Sequence, residues 1–529
     1  MNVTPETRRH DLDALRALAM LLGILLHALM TFVPGLWPVQ DSSANAMVGV
    51  VVVLIHGFRM PLFFLVSGFF TALLWRRYGL KGVIRHRLLR ILLPCVLGVL
   101  TIVPLYRFVV QATVTAPAVS IVSPPARTLV EAVQRGSIEQ ARKLLAAGAE
   151  RNSPDSKFGG TPLSSAAMRG EVEMVQLLLE KGANASQPNA DKSTPLNCAA
   201  FLGQDVIVAI LIKNGADVHA RTQRGDNPTD ATYADGATIQ QIVGILGLPA
   251  RSQEDIEAGQ KRCRALLPAT VRQTEPLLTR VRNRYGAFLK APYFATPVFE
   301  HLWFLWFLVW LLPFFALWTR FADRIKISSR WTVSPLRYLW VIPVTMVPQT
   351  LMGTQMPSFG PDTATGIVPP PHLLAYYGVF FFFGALYYEA GDTVGVLGKR
   401  WWLTLSLALG VFLPLGIMTM SLPATMTASI QASYTWLMVF GCMGLARRFM
   451  STENPTMRYL SDSSYWLYIA HLPLIVALQL LVRDLPLPLL VKLLIILGVS
   501  VIALLASYQL FVRYTVLGVL LNGKKATKA

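Results

Sequence analysis

Long apolar runs, of the length that crosses a bilayer, recur along this 529-residue chain. A membrane-spanning helix needs about 20 residues, and the runs yield about ten candidate spans. Only 15% of the residues are charged, whereas a soluble globular domain carries roughly a quarter. We therefore predict an all-α fold class, a polytopic transmembrane helical bundle surrounded by membrane lipids. The candidate spans are roughly 14–35, 46–75, 88–112, 297–319, 335–353, 372–390, 401–421, 429–446, 463–482 and 487–515.

The net charge of +19 comes mostly from basic residues beside the apolar runs. They do not form one continuous basic face, so we exclude nucleic acid as a partner. With ten spans, every short basic loop falls on one side, which is cytoplasmic by the positive-inside rule. Both termini then lie in the cytoplasm, and residues 113–296 lie outside it. We predict an integral protein of a bacterial inner membrane, with the first apolar run retained as a span.

A repeat of 33 residues occupies the polar segment between the third and fourth spans. Thr-Pro-Leu at 161–163 recurs at 194–196, and Gly-Ala at 182–183 recurs at 215–216. A degenerate copy precedes these two clear copies, and another degenerate copy follows them and begins at Asn227. The period is that of the ankyrin repeat, in which Thr-Pro begins a helix and Gly ends one. We predict an inserted ankyrin-repeat α-solenoid, which either binds a protein partner or only braces the structure.

These patterns divide the chain into four parts. Residues 1–112 carry spans 1–3 and residues 297–529 carry spans 4–10. Residues 126–250 form the repeat domain. Residues 251–296 form a basic, helix-prone linker, which either rests on anionic lipid headgroups or is solvated.

Two ionisable residues interrupt the first span. Arg16 and His27 are eleven residues apart, which is about three helical turns, so both project from one face. The rise between them is about 16 Å, half of the hydrocarbon core, which places Arg16 at the cytoplasmic edge and His27 near mid-depth. An ionisable side chain at that depth is a functional candidate, and His27 could take a proton from an acceptor hydroxyl. The alternative is a neutral histidine that bonds to a neighbouring helix.

The spacing Arg-x10-His in the first span resembles the signature of the acyltransferase-3 family of membrane acyltransferases. Further motifs follow in the family's order, and within the family the chain is most similar to the periplasmic glucan succinyltransferases. The resemblance covers about 1–112 and 297–515, and the ankyrin insert is not part of the family pattern. The motifs are Leu-Asp-Ala-Leu-Arg-Ala at 12–17, Phe-Phe-Leu-Val-Ser-Gly-Phe at 63–69, Arg-Leu-Leu-Arg at 87–90, His-Leu-Trp-Phe-Leu at 301–305 and Ser-Tyr-Trp-Leu-Tyr-Ile-Ala-His-Leu-Pro at 464–473.

The resemblance implies transfer of an acyl group from cytoplasmic acyl-CoA to an acceptor across the membrane, usually a glycan. For this reaction we predict that His27 is the general base. Arg87 and Arg90 are three residues apart and share a helix face. At the cytoplasmic surface they are expected to bind CoA phosphates, with Arg16 as a third phosphate or carboxylate partner. The alternative is that Arg87 and Arg90 only anchor the helix ends on the cytoplasmic side. Acyl-CoA would be a co-substrate. We predict no tightly bound cofactor and no metal, because no Cys/His metal spacing occurs in the sequence.

Six further residues are candidates for substrate binding. An arginine within a span, such as Arg59, needs a partner or water. Gly68 permits close approach of a ligand to the backbone, which makes its neighbour Ser67 a candidate. His471 could instead be an ordinary core histidine. Glu300 and His301, at the outer mouth of the fourth span, could bind a substrate hydroxyl or simply mark the membrane interface. The candidates are Arg59, Ser67, Glu300, His301, Tyr465 and His471.

Two other functions stay open on these residues. A non-catalytic membrane receptor or scaffold would act through its ankyrin repeats, so that deletion of 126–250 abolishes function whereas His27→Ala does not. A transporter would also use the intramembrane Arg59 and His27, but the inverted-repeat pattern of transporters does not occur here. The sequence does not distinguish an acetyl from a succinyl donor.

Overall fold

The computed structural model describes residues 9–522 except 35, 116–125, 127, 155–158, 224, 235–238, 240–241, 244–247, 250, 269–283, 287, 290, 325–327, 354–358 and 420–423. Across these described residues the regular elements are helices, and no strand occurs among them. The all-α fold class is therefore confirmed. The chain forms two compact units, one of Met1–Ala116 with Leu278–Ala529 and one of Pro117–Leu277.

The first unit is a bundle of helices around a core rich in aromatic side chains. The first helix is His10–Met30, the second helix is Ala46–Arg87, and the helix that carries His471 (the His471 helix) is Pro455–Val482. The other α-helices are Leu93–Thr115, Pro292–Ala295, Trp303–Ala322, Arg330–Val333, Tyr338–Gln349, Pro371–Glu389, Trp401–Leu407, Leu413–Met418, Ala424–Phe449, Leu489–Ser507 and Val516–Asn522. Turns of π-helix cover Leu88–Leu92, Ala408–Phe412 and Tyr508–Val512, and turns of 3-10 helix cover Glu300–Leu302, Pro335–Arg337 and Val396–Gly398.

Six helices in the described part of the chain are long and apolar enough to cross a membrane. One of them, Met47–Gln111, contains both the second and the third predicted span. Three other predicted spans coincide with helices that are too short or not apolar enough, and the count of ten therefore stays a prediction. These three helices are Tyr338–Gln349, Pro371–Glu389 and Ala424–Phe449. The six are His10–Met30, Met47–Gln111, Glu300–Ala322, Trp401–Met418, Pro455–Val482 and Leu489–Val512.

The second helix continues as one element past Pro61. The helix has 42 residues. At a rise of about 1.5 Å per residue its length is greater than the thickness of the hydrocarbon core. Pro61 lies inside it, and the backbone leaves helical dihedral angles only at Gly79, where φ is 67° and ψ is 177°. A positive φ of this kind favours glycine. The change of direction therefore comes near the end of the helix and not at its centre.

Gly68 and Gly384 allow the second helix to cross Pro371–Glu389 at very short range. A Cβ at Gly68 would lie 1.8 Å from the carbonyl oxygen of Phe381, and a Cβ at Gly384 would lie 1.9 Å from that of Leu65. Small residues at such crossings are typical of helix pairs in membranes. Our expectation that Gly68 makes room for a ligand is therefore wrong, because another helix occupies that space.

The second unit contains helices at the predicted period of 33 residues. Thr161, Thr194 and Asn227 each precede a proline and cap the helix that follows, since their side-chain oxygens accept the N–H of the third helical residue. The helices pack on one apolar core in which Leu178 and Leu211 are fully buried. The α-helices are Leu129–Gln134, Ile138–Ala146, Pro162–Arg169, Val172–Glu180, Pro195–Phe201, Asp205–Lys213, Pro228–Ala231 and Gln253–Leu266.

The helix Gln253–Leu266, which we placed in the linker, belongs to this second unit. Cys263 and Leu267 are buried in the same core as the repeats, and Arg262 Nε donates to Asp205 Oδ2 at 2.8 Å. That hydrogen bond lowers the pKa of the Asp205 carboxyl below its usual value. The buried face of this helix is therefore occupied by the ankyrin repeats.

We expect Gly68→Ala to destabilise the membrane bundle, because the added methyl group would meet a backbone oxygen, which cannot move aside as a side chain can. Gly498→Ala is the matched control, since a Cβ there meets nothing within 4 Å, and alanine favours a helix over glycine by about 1 kcal/mol. Thermal unfolding in detergent should show a lower midpoint for Gly68→Ala and an unchanged or raised midpoint for Gly498→Ala. A wild-type midpoint for Gly68→Ala would contradict the close crossing.

Candidate functional site

Four of the predicted site residues converge on one small cavity inside the helix bundle. Its volume is about 40 Å³, which is room for a few water molecules or one small reacting group. The predicted residues in its wall are His27, Arg59, His301 and His471. None of the lining residues is acidic, so one guanidinium and three imidazoles share the cavity without a carboxylate. The other lining residues are Met20, Met60, Phe63, Trp303 and Tyr468.

The first helix runs parallel to the His471 helix and places two predicted residues against it. Arg16 Nη2 donates to Ser461 Oγ at 2.6 Å and to the Ser461 carbonyl oxygen at 3.2 Å. His27 Nδ1 lies 3.0 Å from His471 Nε2. Arg16 and His27 therefore do project from one face of the first helix, and that face meets a single partner helix.

His471 is buried, and backbone oxygens of its own helix hold its ring. Its Nδ1 lies 2.8 Å from the carbonyl oxygen of Tyr468 and 3.1 Å from that of Leu467. The ring centroids of His471 and His27 are 5.0 Å apart. Both ring nitrogens of His471 are thus engaged with protein groups, one with backbone and one with His27.

His301 contributes a third imidazole to the cavity wall. Its Nε2 lies 2.9 Å from the carbonyl oxygen of Ile469, and the Tyr468 hydroxyl donates to the carbonyl oxygen of His301. Its ring is nearly perpendicular to that of His471, at 87° with the centroids 5.2 Å apart. The Nδ1 atom of His301 is buried and has no hydrogen-bond partner among the described residues.

Arg59 is a cation in the cavity wall, and no acidic residue lines the cavity with it. A Cβ on Gly23 would lie 2.3 Å from Arg59 Nη1, so the guanidinium uses the space that the missing side chain of Gly23 leaves. Arg59 Nε is buried and has no hydrogen-bond partner in the described part of the chain. A buried charge without a partner is costly. The arrangement therefore suits an anionic ligand or a negative charge that develops during a reaction.

The loop that follows the first helix packs against His27. The ring centroids of Trp37 and His27 are 5.8 Å apart, and Trp37 Nε1 donates to Gln479 Oε1 at 2.8 Å. Gln479 Nε2 in turn donates to the His27 carbonyl oxygen at 2.8 Å. An ion pair between Asp41 and Lys492, with oxygen and nitrogen 2.8 Å apart and both side chains 1% exposed, anchors the loop.

Sequence reasoning missed several of these contacts. Gly23 carries a signal, because it lies four residues before His27 and therefore on the same helix face, and glycine in an apolar helix indicates close approach of another group. Trp37 and Gln479 carry no local signal. They meet His27 only through the packing of the loop and the His471 helix.

Four other predicted residues lie outside the cavity lining, near the end of the second helix and the start of the next. Arg87 Nη2 donates to the carbonyl oxygen of Ser67 at 3.2 Å and to Thr71 Oγ1. The Tyr465 hydroxyl donates to the carbonyl oxygen of Arg90 at 2.6 Å, which ties the His471 helix to this region. A π-helical turn begins directly after Arg87, so the α-helical spacing from which we derived a shared face does not apply between Arg87 and Arg90.

Glu300 also lies outside the cavity lining. Its Oε1 is 3.0 Å from Arg107 Nη2, and the two form an ion pair. Glu300 has a φ of 47°, which is uncommon for a residue other than glycine. This turn directly precedes His301, so Glu300 belongs to the segment that presents His301 to the cavity.

A family model described as an acyltransferase domain matches residues 9–160 and 269–511, which is most of the chain. The chain belongs to the acyltransferase-3 family. A second model, of three ankyrin repeats, matches residues 129–222. The family resemblance and the ankyrin repeats that the sequence predicts are thus both confirmed.

Several relatives from Escherichia coli are described as glucans biosynthesis protein C. Those of strains K12, SMS-3-5 and O1:K1 are each 36% identical to this chain over 105 residues, which cover 20% of this chain and 26% of the relative. The match therefore spans about a quarter of the length of these relatives. Among solved structures, the ankyrin repeat domain of Bcl-3 is 31% identical and covers 22% of this chain and 50% of that chain, with a TM-score of 0.19.

We expect Gly23→Ala to displace the Arg59 guanidinium and to lower acyltransferase activity by about 10- to 100-fold, because misplacement of a positioning group by about 1 Å can have such an effect. The arginine side chain is flexible and can move aside, so the thermal midpoint should stay close to that of the wild type. Gly49→Ala is the control, since its nearest contact would be an ordinary 3.7 Å to Val33. Wild-type activity in Gly23→Ala would show that Arg59 does not need this position.

Proposed function

We propose that the protein is a membrane-bound O-acyltransferase that moves an acyl group from cytoplasmic acyl-CoA to a hydroxyl of an extracytoplasmic glycan or similar acceptor. The observation that carries the proposal is the cavity that His27 shares with Arg59, whose Nε has no hydrogen-bond partner among the described residues. Membership of the acyltransferase-3 family supports the reaction class. A cavity inside a bundle of membrane-competent helices suits an enzyme whose two substrates arrive from opposite sides.

In this reaction His27 is the general base. It takes the proton of the acceptor hydroxyl while the hydroxyl oxygen attacks the carbonyl carbon of the thioester. The bond between that carbon and sulfur then breaks, CoA leaves as a thiolate, and the proton on His27 passes to the sulfur. The products are an acyl ester and free CoA, so no further reactant is needed. General base catalysis of this kind contributes about 10²- to 10⁴-fold.

Arg59 stabilises the negative charge that develops on the thioester oxygen during the attack. A fixed cation in a water-poor cavity is effective in this role, because it needs no reorganisation when the charge appears. The absence of acidic residues from the cavity lining leaves the guanidinium available for substrate. The transferred group is acetyl or succinyl, and the carboxylate of a succinyl group would also be attracted to Arg59.

The CoA phosphates bind near Arg87 and Arg90, with Arg16 as a third partner. A contrast between basic residues supports this assignment. Arg76 already bridges Asp323 at 2.7 Å and Glu389 at 2.7 Å, so its charge is neutralised within the protein. Within the described part of the chain, in contrast, Arg87 donates to uncharged oxygens of Ser67 and Thr71 and forms no ion pair. Its charge is thus free to pair with a phosphate.

The acceptor is a glycan in this proposal. The description of the relatives as glucans biosynthesis proteins supports it. We place the protein in the inner membrane with ten spans, with both termini in the cytoplasm and the ankyrin repeats outside. Long exported segments are not governed by the positive-inside rule, so the basic residues of 251–296 do not oppose this orientation.

Replacement of His27 tests the assignment of the base. His27→Ala should lower the rate of acyl transfer from acyl-CoA in membranes by at least about 100-fold, in line with the loss of a general base. His56→Gln is a matched control on the second helix, because His56 bonds to the carbonyl oxygen of Pro361 at 2.9 Å and does not line the cavity. We expect it to keep most of the activity, and full activity in His27→Ala would rule out the proposed base.

The same assay separates the enzyme from a receptor or scaffold that acts through its ankyrin repeats. For the enzyme, acyl transfer and any cellular phenotype are lost together in His27→Ala. For the scaffold, the phenotype survives His27→Ala and is lost on deletion of residues 126–250. Mass spectrometry of envelope glycans from cells with and without the protein identifies both the acyl group and the acceptor.

The proposed orientation predicts that protease added to intact spheroplasts cleaves within residues 126–250. Positions between the repeat helices are the expected sites, because the helices themselves are capped and packed. A cytoplasmic protein in the same cells serves as the control for membrane integrity. Cleavage that occurs only after the membrane is permeabilised would show that the ankyrin repeats are cytoplasmic and that the ten-span count is wrong.

A further inference from the structure

The hydrogen bonds of His471 determine which of its ring nitrogens carries a proton. Its Nδ1 lies within hydrogen-bond distance of two carbonyl oxygens, those of Tyr468 at 2.8 Å and Leu467 at 3.1 Å. A carbonyl oxygen can only accept a hydrogen bond. The Nδ1 atom of His471 must therefore be the donor, and in a neutral ring Nε2 is then an acceptor with a lone pair.

This assignment extends to His27. His471 Nε2 lies 3.0 Å from His27 Nδ1, and an acceptor on one side requires a donor on the other. His27 therefore carries its proton on Nδ1, and its Nε2 holds the lone pair. We propose that His471 is a positioning residue that holds His27 in this tautomer, so that Nε2 of His27 is the atom that takes the proton of the acceptor hydroxyl. This inference rests on the proposed function.

The charges around the pair favour two neutral rings. The second helix presents Arg59 and His56 toward His27, and the other elements present His301, Tyr468 and His471 itself. These neighbours include one cation and no carboxylate. A protonated imidazole would be a second buried cation beside Arg59 without a counterion, which is strongly unfavourable. In the resting state both rings are therefore neutral. His27 Nδ1 donates to His471 Nε2, His471 Nδ1 donates to backbone oxygens, and His27 Nε2 is unprotonated.

The backbone of His27 is held independently of its ring. Gln479 donates to the His27 carbonyl oxygen at 2.8 Å, and this contact persists whichever way the ring is protonated. His471 is the only described side chain that bonds to the His27 ring. The two contacts therefore have different roles. The hydrogen bond from Gln479 fixes the position of the His27 backbone, and the hydrogen bond to His471 fixes which ring nitrogen of His27 is the base.

His471 also affects the step after proton uptake. Once His27 is protonated, its Nδ1–H bond to His471 Nε2 becomes charge-assisted and shorter. Because the partner is a neutral ring and not a carboxylate, the proton on Nε2 is not held by an ion pair. It can pass to the departing thiolate of CoA, which restores the resting tautomer.

Two substitutions of His471 separate positioning from packing. His471→Leu fills the space without an acceptor, and we expect at least a 10-fold fall in kcat with little change in KM for either substrate. His471→Gln offers a side-chain oxygen that can accept from His27 Nδ1–H, and we expect it to recover most of kcat. A packing role predicts the reverse order, with leucine tolerated better than glutamine, and that order would overturn the proposal.

The tautomer can be measured without any assay of activity. In protein labelled with ¹⁵N-histidine, the signal of His27, assigned by its absence from His27→Asn, should show Nδ1 protonated and Nε2 unprotonated in the wild type. It should shift toward the Nε2–H tautomer in His471→Leu. A wild-type His27 protonated on Nε2 overturns the proposal even if His471→Leu fails to fold. A wild-type protein without acyl transfer overturns the proposed function instead, and the two failures are thus distinct.

Discussion

Three polar contacts between the first helix and the His471 helix hold the candidate site together. Arg16 bonds to Ser461, the His27 ring bonds to His471, and the His27 carbonyl oxygen accepts from Gln479. In a membrane interior no water replaces a broken hydrogen bond, so such contacts strongly fix the register of two helices. A slip of one helical turn, about 5.4 Å, would break all three contacts at once. The position of His27, the proposed base, is therefore a consequence of how this helix pair is aligned.

The buried charge of Arg59 is the second constraint. The contacts between the two helices stabilise the site, whereas this charge lowers the stability of the fold. Both His301 Nδ1 and Arg59 Nε are buried without a hydrogen-bond partner among the described residues, but Arg59 is the arginine in the cavity wall and no acidic residue lines the cavity with it. Folding alone would favour an apolar side chain there, because a buried cation without a counterion lowers stability. The glycine at position 23 makes the space that lets the guanidinium stay in the cavity wall. A cost of this kind is understandable where the missing negative charge arrives with the substrate.

Local patterns were enough to predict the fold class, the repeats and the first-helix pair. Apolar runs indicate membrane helices, a period of 33 residues indicates ankyrin repeats, and a spacing of eleven puts Arg16 and His27 on one face. The partner of His27 could not be predicted, because His471 lies 444 residues further along the chain. The predicted count of ten spans is not established by hydropathy, because three of the predicted spans coincide with helices that are too short or not apolar enough.

The motif around Ser67 and Gly68 shows why shared sequence patterns need a structural explanation. Gly68 does not touch the cavity, yet it allows the second helix to lie against Pro371–Glu389 at backbone contact. Arg59 lies nine residues earlier on the same helix, about 13 Å along its axis. Any change that separates the two helices at Gly68 would also move Arg59 relative to His27. The motif therefore affects the candidate site through the placement of a helix, and the side chains that line the cavity come from other positions.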